Sequence, residues 1–494
     1  MGSDSLAGNS NMNEEILINF SPMETRVAVI ENGMLQEVHV ERNASRGIVG
    51  NIYQGKVARV LPGMQAAFVD IGLEKAAFIH AGDIEDSAKE QPISSLLREG
   101  QSILVQVTKD PIGTKGARLT TQISIASRFL VYMPGANHIG ISQRIEDEDE
   151  RDRIRDIVIG AIDADGPYAD DGFIIRTVAE GVLPHGLEED IAFLRLLWGK
   201  LQERASSGKV PNIIYEDLPL ALRTLRDIAH PQVEKIRIDS KETFQKATEF
   251  VEQLVPELAN ALEYYPGERP IFDLYNVEDE IQKALGRKVP LKSGGYLIID
   301  QTEAMTTVDV NTGAYVGHRN LEETIFRTNL EAATAIGRQL RLRNLGGIII
   351  LDFIDMEETE HQRQVLRTLE RVLEKDHVKT KYTGVSDLGL IEMTRKRTRE
   401  SLEQLLCEPC PACHGTGMSK TPETVCYEIF REILRAARAF DTDTYLVLAN
   451  QAVIDRMLDQ EADHLAELEE FIGKTIRLQV ESLYYCEQFD VVLR

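Results

Sequence analysis

The sequence predicts a multidomain α/β protein, and three observations predict it. Its 494 residues are enough for three or four domains at about 100–200 residues each. Runs that alternate apolar and polar residues, as half-buried strands do, occur between stretches whose apolar residues return every three or four positions, as on one helix face. A dense set of short strand-like runs separated by glycines lies between Gly50 and Ile123.

Composition sets the outer limits. The chain is 43% hydrophobic and 27% charged, a globular composition. No apolar run approaches the roughly 20 residues that a membrane span requires, so no membrane partner is expected. No charged-then-apolar secretory leader opens the chain. Residues 1–11 (MGSDSLAGNSN) are polar and small, and read as a cloning remnant before Met12. Five cysteines, three of them clustered, fit a reducing, cytoplasmic setting and a metal knuckle rather than a disulfide framework. The net charge is −25, with 80 acidic against 55 basic residues, which argues against a simple nucleic-acid coat protein. If RNA is the partner, positive charge has to be concentrated locally and divalent metal has to offset the rest. Composition alone favours an acidic enzyme with a small-molecule substrate.

From the N-terminus, 16–20 (ILINF), 26–30 (RVAVI) and 34–40 read as strands, with Asn32-Gly33 as the hairpin turn. This sheet is too small to stand alone and is expected to join a later segment. The runs 51–57 (NIYQGKV), 66–70 (AAFVD), 76–79 (AAFI) and 102–108 (SILVQVT) suit a small Greek-key barrel such as an OB fold. Such barrels bind single strands by stacking bases on aromatic rings beside basic residues. Phe68, Phe78 and Lys115 are the candidates. The plainer reading puts both phenylalanines in the core, where Phe is so often found, and Lys115 in solvent.

Residues 128–215 read as α/β. The run 172–177 (GFIIRT) is a short strand ending in Arg176 and Thr177. A guanidinium fork with a hydroxyl beside it suits a terminal phosphate; the commoner role for such an arginine is a surface ion pair. A helix is expected over 188–204. A strand over 233–238 follows, then a helix over 241–262 capped by Asp239-Ser240. That pair is expected to complete the N-terminal sheet, making the barrel and the module after it an insertion.

The centre of the chain runs from Gly294 to Met356. Asp309 lies near the end of the alternating run 304–310 (AMTTVDV), before the turn Asn311-Thr312-Gly313. Asp352 follows 346–351 (GGIIIL), a continuously apolar run expected to be buried on both faces. A helix is expected between them over 321–343. Sites in open α/β sheets gather at the carboxyl ends of strands. Two carboxylates plus water suit Mg²⁺, which often binds through one or two carboxylates together with substrate phosphate. The plainer reading is that each Asp begins a turn; two such residues at strand ends shift the balance toward function.

A further helix is expected over 360–375. The basic run 395–399 (RKRTR) reads as a solvated helix face, or as a place where a phosphate backbone lies. The run 407–417 (CEPCPACHGTG) reads as a zinc knuckle. Zinc takes four ligands, and no second CxxC occurs elsewhere. Either Cys407, Cys410 and Cys413 recruit a distant fourth ligand, or two chains each give one pair. Cys410 and Cys413 doubled across a dimer is the preferred reading, and unligated thiols the plain one. Cys426 and Cys486 read as core or incidental. A helix over 421–441 and a small α/β tail close the chain.

The runs 294–313 (GGYLIIDQTEAMTTVDVNTG), 338–356 (RQLRLRNLGGIIILDFIDM) and 410–417 (CPACHGTG) together resemble the ribonuclease E/G family. So do 51–53 (NIY), 66–70 (AAFVD), 118–121 (RLTT) and 175–177 (IRT), and the likeness runs from about Met12 to the end. The chain stops at Arg494, without the long disordered tail typical of one branch, so the shorter branch is expected.

The resemblance implies an RNase H-like domain (12–45 and 221–284) interrupted by an OB-fold RNA-binding domain (46–124) and a 5′-sensor domain (125–220). A DNase I-like catalytic domain (285–404), a zinc link (405–418) and a small C-terminal domain (419–494) follow. It implies a Mg²⁺-dependent endoribonuclease on single-stranded RNA, stimulated by a 5′-monophosphate and leaving 5′-phosphate and 3′-hydroxyl ends. Its substrates would be rRNA precursors, matured at their 5′ ends, and mRNA undergoing decay. Position by position, Asp309 and Asp352 match the Mg²⁺ carboxylates, and Asn311 the residue that supports Asp309. Arg176 and Thr177, with Val131 nearby, match the 5′-phosphate pocket. Phe68, Phe78 and Lys115 match RNA contacts. Cys410 and Cys413 match a zinc link between two protomers of a homodimer, with Cys407 an added thiol and higher assembly left open. A noncatalytic RNA-binding scaffold and a small-molecule phosphodiesterase are the rival readings.

Overall fold

A computed structural model describes residues 13–84, 91–111, 116–162, 170–313, 321–386, 388–413 and 415–494. The chain divides into two compact units, Met1–Leu402 and Glu403–Arg494. The whole is mixed α/β.

In the first unit, Glu14–Phe20, Glu24–Glu31 and Met34–Arg42 form an antiparallel meander. Asn32 and Gly33 both have positive φ, 50° and 76°, as the tight hairpin turn requires. The strand Lys235–Ile238 lies parallel to the first of these, Glu15 beside Lys235, and Leu262–Tyr264 lies beyond it. A sheet begun at residue 14 is thus finished by strands more than 200 residues later. The helix Lys241–Leu254 covers it, with the Ser240 side chain accepting from the Thr243 N–H. It ends eight residues before the expected 262 because Pro256 has no N–H to continue the ladder, and Leu262 joins the sheet instead.

The intervening chain builds two further sheets. Ile52–Leu61, Ala66–Asp70, Ala77–His80, Arg118–Thr120 and Ser102–Lys109 are neighbours in that order, and the first also pairs with the last. This closes a barrel, which removes exposed strand edges. Val57, Ala67, Val69, Ile79, Val105 and Leu119 fill it. A smaller sheet, Ile139–Ile141, Gly172–Ile175, Leu130–Met133 and Ile125–Ala126, packs against the helices Glu148–Gly160 and Pro184–Ser207. The second helix starts earlier than expected, with Pro184 in its first turn, where a missing N–H costs nothing.

The fourth sheet has six strands: Lys288–Pro290, Tyr296–Gln301, Met305–Asn311, Gly347–Asp352, Leu390–Arg395 and Thr380–Val385. Met305–Asn311 and Gly347–Asp352 run parallel, and the other neighbours are antiparallel. A parallel pair needs a crossover, supplied by the helix Leu321–Leu342. This helix and Thr359–Leu373 bury one face of the sheet over Leu297, Val308, Ile349, Leu351 and Met393. The helices touch at Gly337, where a Cβ would lie 2.1 Å from Val372 Cγ1. The apolar run 346–351 predicts burial on both faces. Ile349 and Leu351 are fully buried, but Ile348 is 47% exposed, because the helices cover a single face.

The second unit has a three-stranded sheet with Thr444–Ala449 central, parallel to Thr475–Val480 and antiparallel to Phe489–Leu493. Helices Pro422–Ala439, Gln451–Leu458 and Ala462–Ile472 pack on it, and Cys426 lies in that core as expected.

Candidate active site and anion pocket

Asp309 and Asp352 are register partners on the parallel pair. Neighbouring strands lie about 4.8 Å apart, and residues in register point to the same side. That side is the uncovered one: Val308, Val310 and Leu351 are buried against the helices, while Asp309 and Asp352 are exposed. Asn311, two residues along the same face, donates from Nδ2 to Asp309 Oδ2 at 2.9 Å. Partial burial, then the charges of Asp309 and Asp355, push the Asp352 carboxyl above its ordinary range. Two carboxylates that resist sharing this face without a counter-charge fit a hard divalent cation. Among the described residues, no three His, Cys, Asp or Glu side chains form a ready-made metal cluster.

The loop after Asp352 is held from the crossover helix. Asn329 donates to the Ile354 carbonyl at 2.8 Å and accepts from its N–H at 3.2 Å. Glu322 accepts from the N–H groups of Glu357 and Glu358 and bonds the His361 ring. Neither Asn329 nor Asp355 is among the residues that the sequence marks. The available signal was an amide interrupting the apolar stripe of a predicted helix.

Arg176 and Thr177 follow the strand Gly172–Ile175. Arg176 donates to the Ser127 carbonyl at 2.6 Å and to Asp227 Oδ1 at 2.7 Å. The Thr177 hydroxyl lies 2.8 Å from that of Ser142, and Val131 is half-buried in register with Ile174. Burial alone would raise the Asp227 carboxyl; Arg226 and then Arg176 outweigh it and hold it below the ordinary range. Beneath them, Asp190 accepts from the Ser127 hydroxyl and from the N–H groups of Phe129 and Leu130. Burial still pushes Asp190 up to about 6. Ser142, Asp190 and Asp227 also lie outside the residues that the sequence singled out.

On the barrel, Phe68 and Phe78 are register partners on adjacent strands. Phe68 is 38% exposed, Phe78 is half-buried, and neither belongs to the barrel core. The plain core reading therefore fails for both. Arg59 lies in register with Phe68 and Arg118 with Phe78. Lys115 lies outside the described residues.

The basic run 395–399 is not a helix face. Arg395 ends a strand, is buried, and pairs with buried Asp376 at 2.6 Å while donating to the Leu345 carbonyl. Arg399 donates to the Val38 carbonyl. Arg395 is spent on internal contacts, whereas Lys396, Arg397, Thr398 and Arg399 are exposed.

Cys407 and Cys410 are exposed and Cys413 is half-buried. The Cys413 N–H, then that of Ala412, then the Cys413 thiol lower the Cys410 thiol below its usual range. A thiol biased toward thiolate is the form that binds zinc, and two thiols give half of a tetrahedral set. His414 lies outside the described residues.

Residues 124–398 match the model of the ribonuclease E/G family, 48–119 that of the S1 RNA binding domain, and 409–492 that of the RNase E/G thioredoxin-like domain. The chain is 58% identical to ribonuclease G of Salmonella typhimurium over 98% of its own length and all of that protein. It is 55% identical to ribonuclease G of Haemophilus influenzae, over 97% of the chain and 99% of that protein. It is 34% identical to ribonuclease E of Escherichia coli, over 92% of the chain and 44% of that protein. Among the described residues, no helix is long and apolar enough to cross a membrane.

Proposed function

The chain belongs to the ribonuclease E/G family and is a ribonuclease, and we propose that it cuts single-stranded RNA internally, with Asp309 and Asp352 holding a catalytic Mg²⁺. The register pairing of these two carboxylates on an open sheet face carries the reading. A bound Mg²⁺ would supply Lewis-acid polarisation of the scissile phosphate and a more acidic water, giving 5′-phosphate and 3′-hydroxyl ends. Asn311 holds Asp309 by its hydrogen bond to Oδ2, which leaves Oδ1 for the cation.

RNA is held on two further surfaces. Phe68 and Phe78 offer stacking faces, with Lys115 and Arg59 supplying positive charge, while Arg118 is paired with Asp83. Arg176 and Thr177, beside Val131, take a 5′-monophosphate and favour ends that carry one. Tethering one end raises the effective concentration of the downstream site, which helps a chain of net charge −25 to hold RNA. Cys410 and Cys413 give half of a zinc site completed by a second copy, making a homodimer. On this reading the first sheet is the RNase H-like part, the small sheet the 5′ sensor, and the six-stranded sheet the DNase I-like part. Maturation of rRNA 5′ ends and decay of mRNA in the cytoplasm are the roles that fit.

The test is cleavage of a 5′-phosphorylated single-stranded oligonucleotide with and without Mg²⁺. Asp309→Asn with Asp352→Asn should lower the rate at least about a thousandfold, since a Lewis-acid metal supplies several kcal/mol. A folded double variant that cuts at the original rate would show the site to be elsewhere.

A further inference from the structure

We infer that Asn329 is a positioning residue for the acidic pair, fixing Asp352 through the peptide group of Ile354. The inference rests on the proposed cation role of Asp309 and Asp352. Asn329 is fully buried on the helix Leu321–Leu342, on a side otherwise lined by Ala332, Ala333, Ile336 and Leu340. A buried amide is costly unless its donor and acceptor are both matched. Both are matched by one peptide unit: Nδ2 to the Ile354 carbonyl at 2.8 Å, and the Ile354 N–H to Oδ1 at 3.2 Å.

The position of that peptide gives the contact its meaning. Asp352 is the last residue of its strand, and Ile354 comes two residues later. Asp352 still pairs with Asp309 and Leu390, but beyond it the ladder no longer fixes the backbone, so the direction of its side chain also depends on what holds the chain just after it. Asn329 holds it from below. The same helix holds the far end of the loop: Glu322 accepts from the N–H groups of Glu357 and Glu358, and Phe326 stacks on His361 with ring centroids 4.1 Å apart. Residues 322, 326 and 329 recur at helical spacing on one face. A clamp at both ends fixes the loop that leaves the strand just after Asp352, a metal-binding candidate.

Asn329→Leu keeps the branch at Cγ and removes both hydrogen bonds, at the cost of extra bulk in a buried site; Asn329→Asp keeps the acceptor alone. Each intact variant would be titrated with Mn²⁺, following the free ion by electron paramagnetic resonance, and assayed on a 5′-phosphorylated oligonucleotide. Loss of a group that orients a metal ligand costs about 10–100-fold in metal affinity. Asn329→Leu should weaken Mn²⁺ binding by at least about tenfold. It should also lower kcat at limiting metal, leave KM within about twofold, and regain activity as metal is raised. Asn329→Asp should fall between it and the unmodified protein. Should the leucine variant fail to fold, the aspartate variant decides: unchanged Mn²⁺ affinity overturns the inference. A folded leucine variant with unchanged affinity and kcat overturns it too. Asp352→Asn is titrated alongside. If it loses Mn²⁺ while Asn329→Leu does not, the inference about Asn329 alone is wrong; if it binds as before, the cation reading falls and takes the inference with it.

Discussion

Arg176 and Asp227 form a 2.7 Å ion pair between the end of one strand and the end of a helix, on a carboxylate that Arg226 also grips through two nitrogens at 3.0 and 2.9 Å. Asp227 therefore aims the Arg176 guanidinium while Arg226 absorbs part of its charge. Arg176→Ala should erase any preference for 5′-monophosphate over 5′-hydroxyl RNA. Asp227→Asn should reduce that preference by about tenfold, since a hydrogen bond to a charged group is worth about 1.5–3 kcal/mol. The measurement is kcat/KM on matched oligonucleotides. Equal losses on both would remove the anion pocket from the mechanism.

Phe68 and Phe78 lie side by side across two strands, outside the barrel core. Stacking a base on an aromatic ring is worth about 1–3 kcal/mol. Phe68→Ala should therefore raise the Kd for single-stranded RNA by about tenfold or more, with a small change in Tm. Fluorescence anisotropy with a labelled oligonucleotide checks this. An unchanged Kd would return the ring to a purely structural role.

Asp190 gives a pH signature. Burial raises its carboxyl from an ordinary 3.8 to about 6. The folded state therefore holds this proton more tightly than the unfolded chain. The stability this contributes is complete below about pH 4 and is lost as pH rises through about 6. The full swing is on the order of 3 kcal/mol. Asp190→Asn removes the titration, so the unmodified protein should lose stability relative to this variant as pH goes from 4 to 7. Parallel denaturation profiles across that window would contradict the burial argument.

Cys410 and Cys413 yield a stoichiometry. Zinc shared between two chains means half an ion per chain, and Cys410→Ser with Cys413→Ser should abolish both zinc and dimer. Native mass measurement with metal analysis reads both. One zinc per chain, or a dimer that persists without zinc, excludes the shared site.

Much of the fold was legible because periodicity is local. The Asn32-Gly33 hairpin, the short barrel strands and the crossover helix follow from spacing and turn chemistry within a few residues. The errors share a cause as well. The helix over 241–262 looked continuous until Pro256 and the sheet claimed its last residues. Gly346 to Leu351 looked buried on both faces because an apolar run does not reveal how many layers cover it. The basic run 395–399 is exposed from Lys396 to Arg399, as a solvated run should be, but it forms no helix, and Arg395 is buried against its counter-charge Asp376, a partner that no local pattern announces.

The sequence by itself marked the candidates for the chemistry: two aspartates at or near strand ends, an arginine and threonine after a third strand, paired cysteines, and the motifs that tie the chain to one family. Only the tertiary structure decided that Asp309 and Asp352 share a register, that Phe68 faces outward, and that Asn329 clamps the loop between Asp352 and Asp355. The reason is physical. Composition and periodicity act over a few residues, whereas register, exposure and buried hydrogen-bond partners depend on contacts between segments tens to hundreds of residues apart.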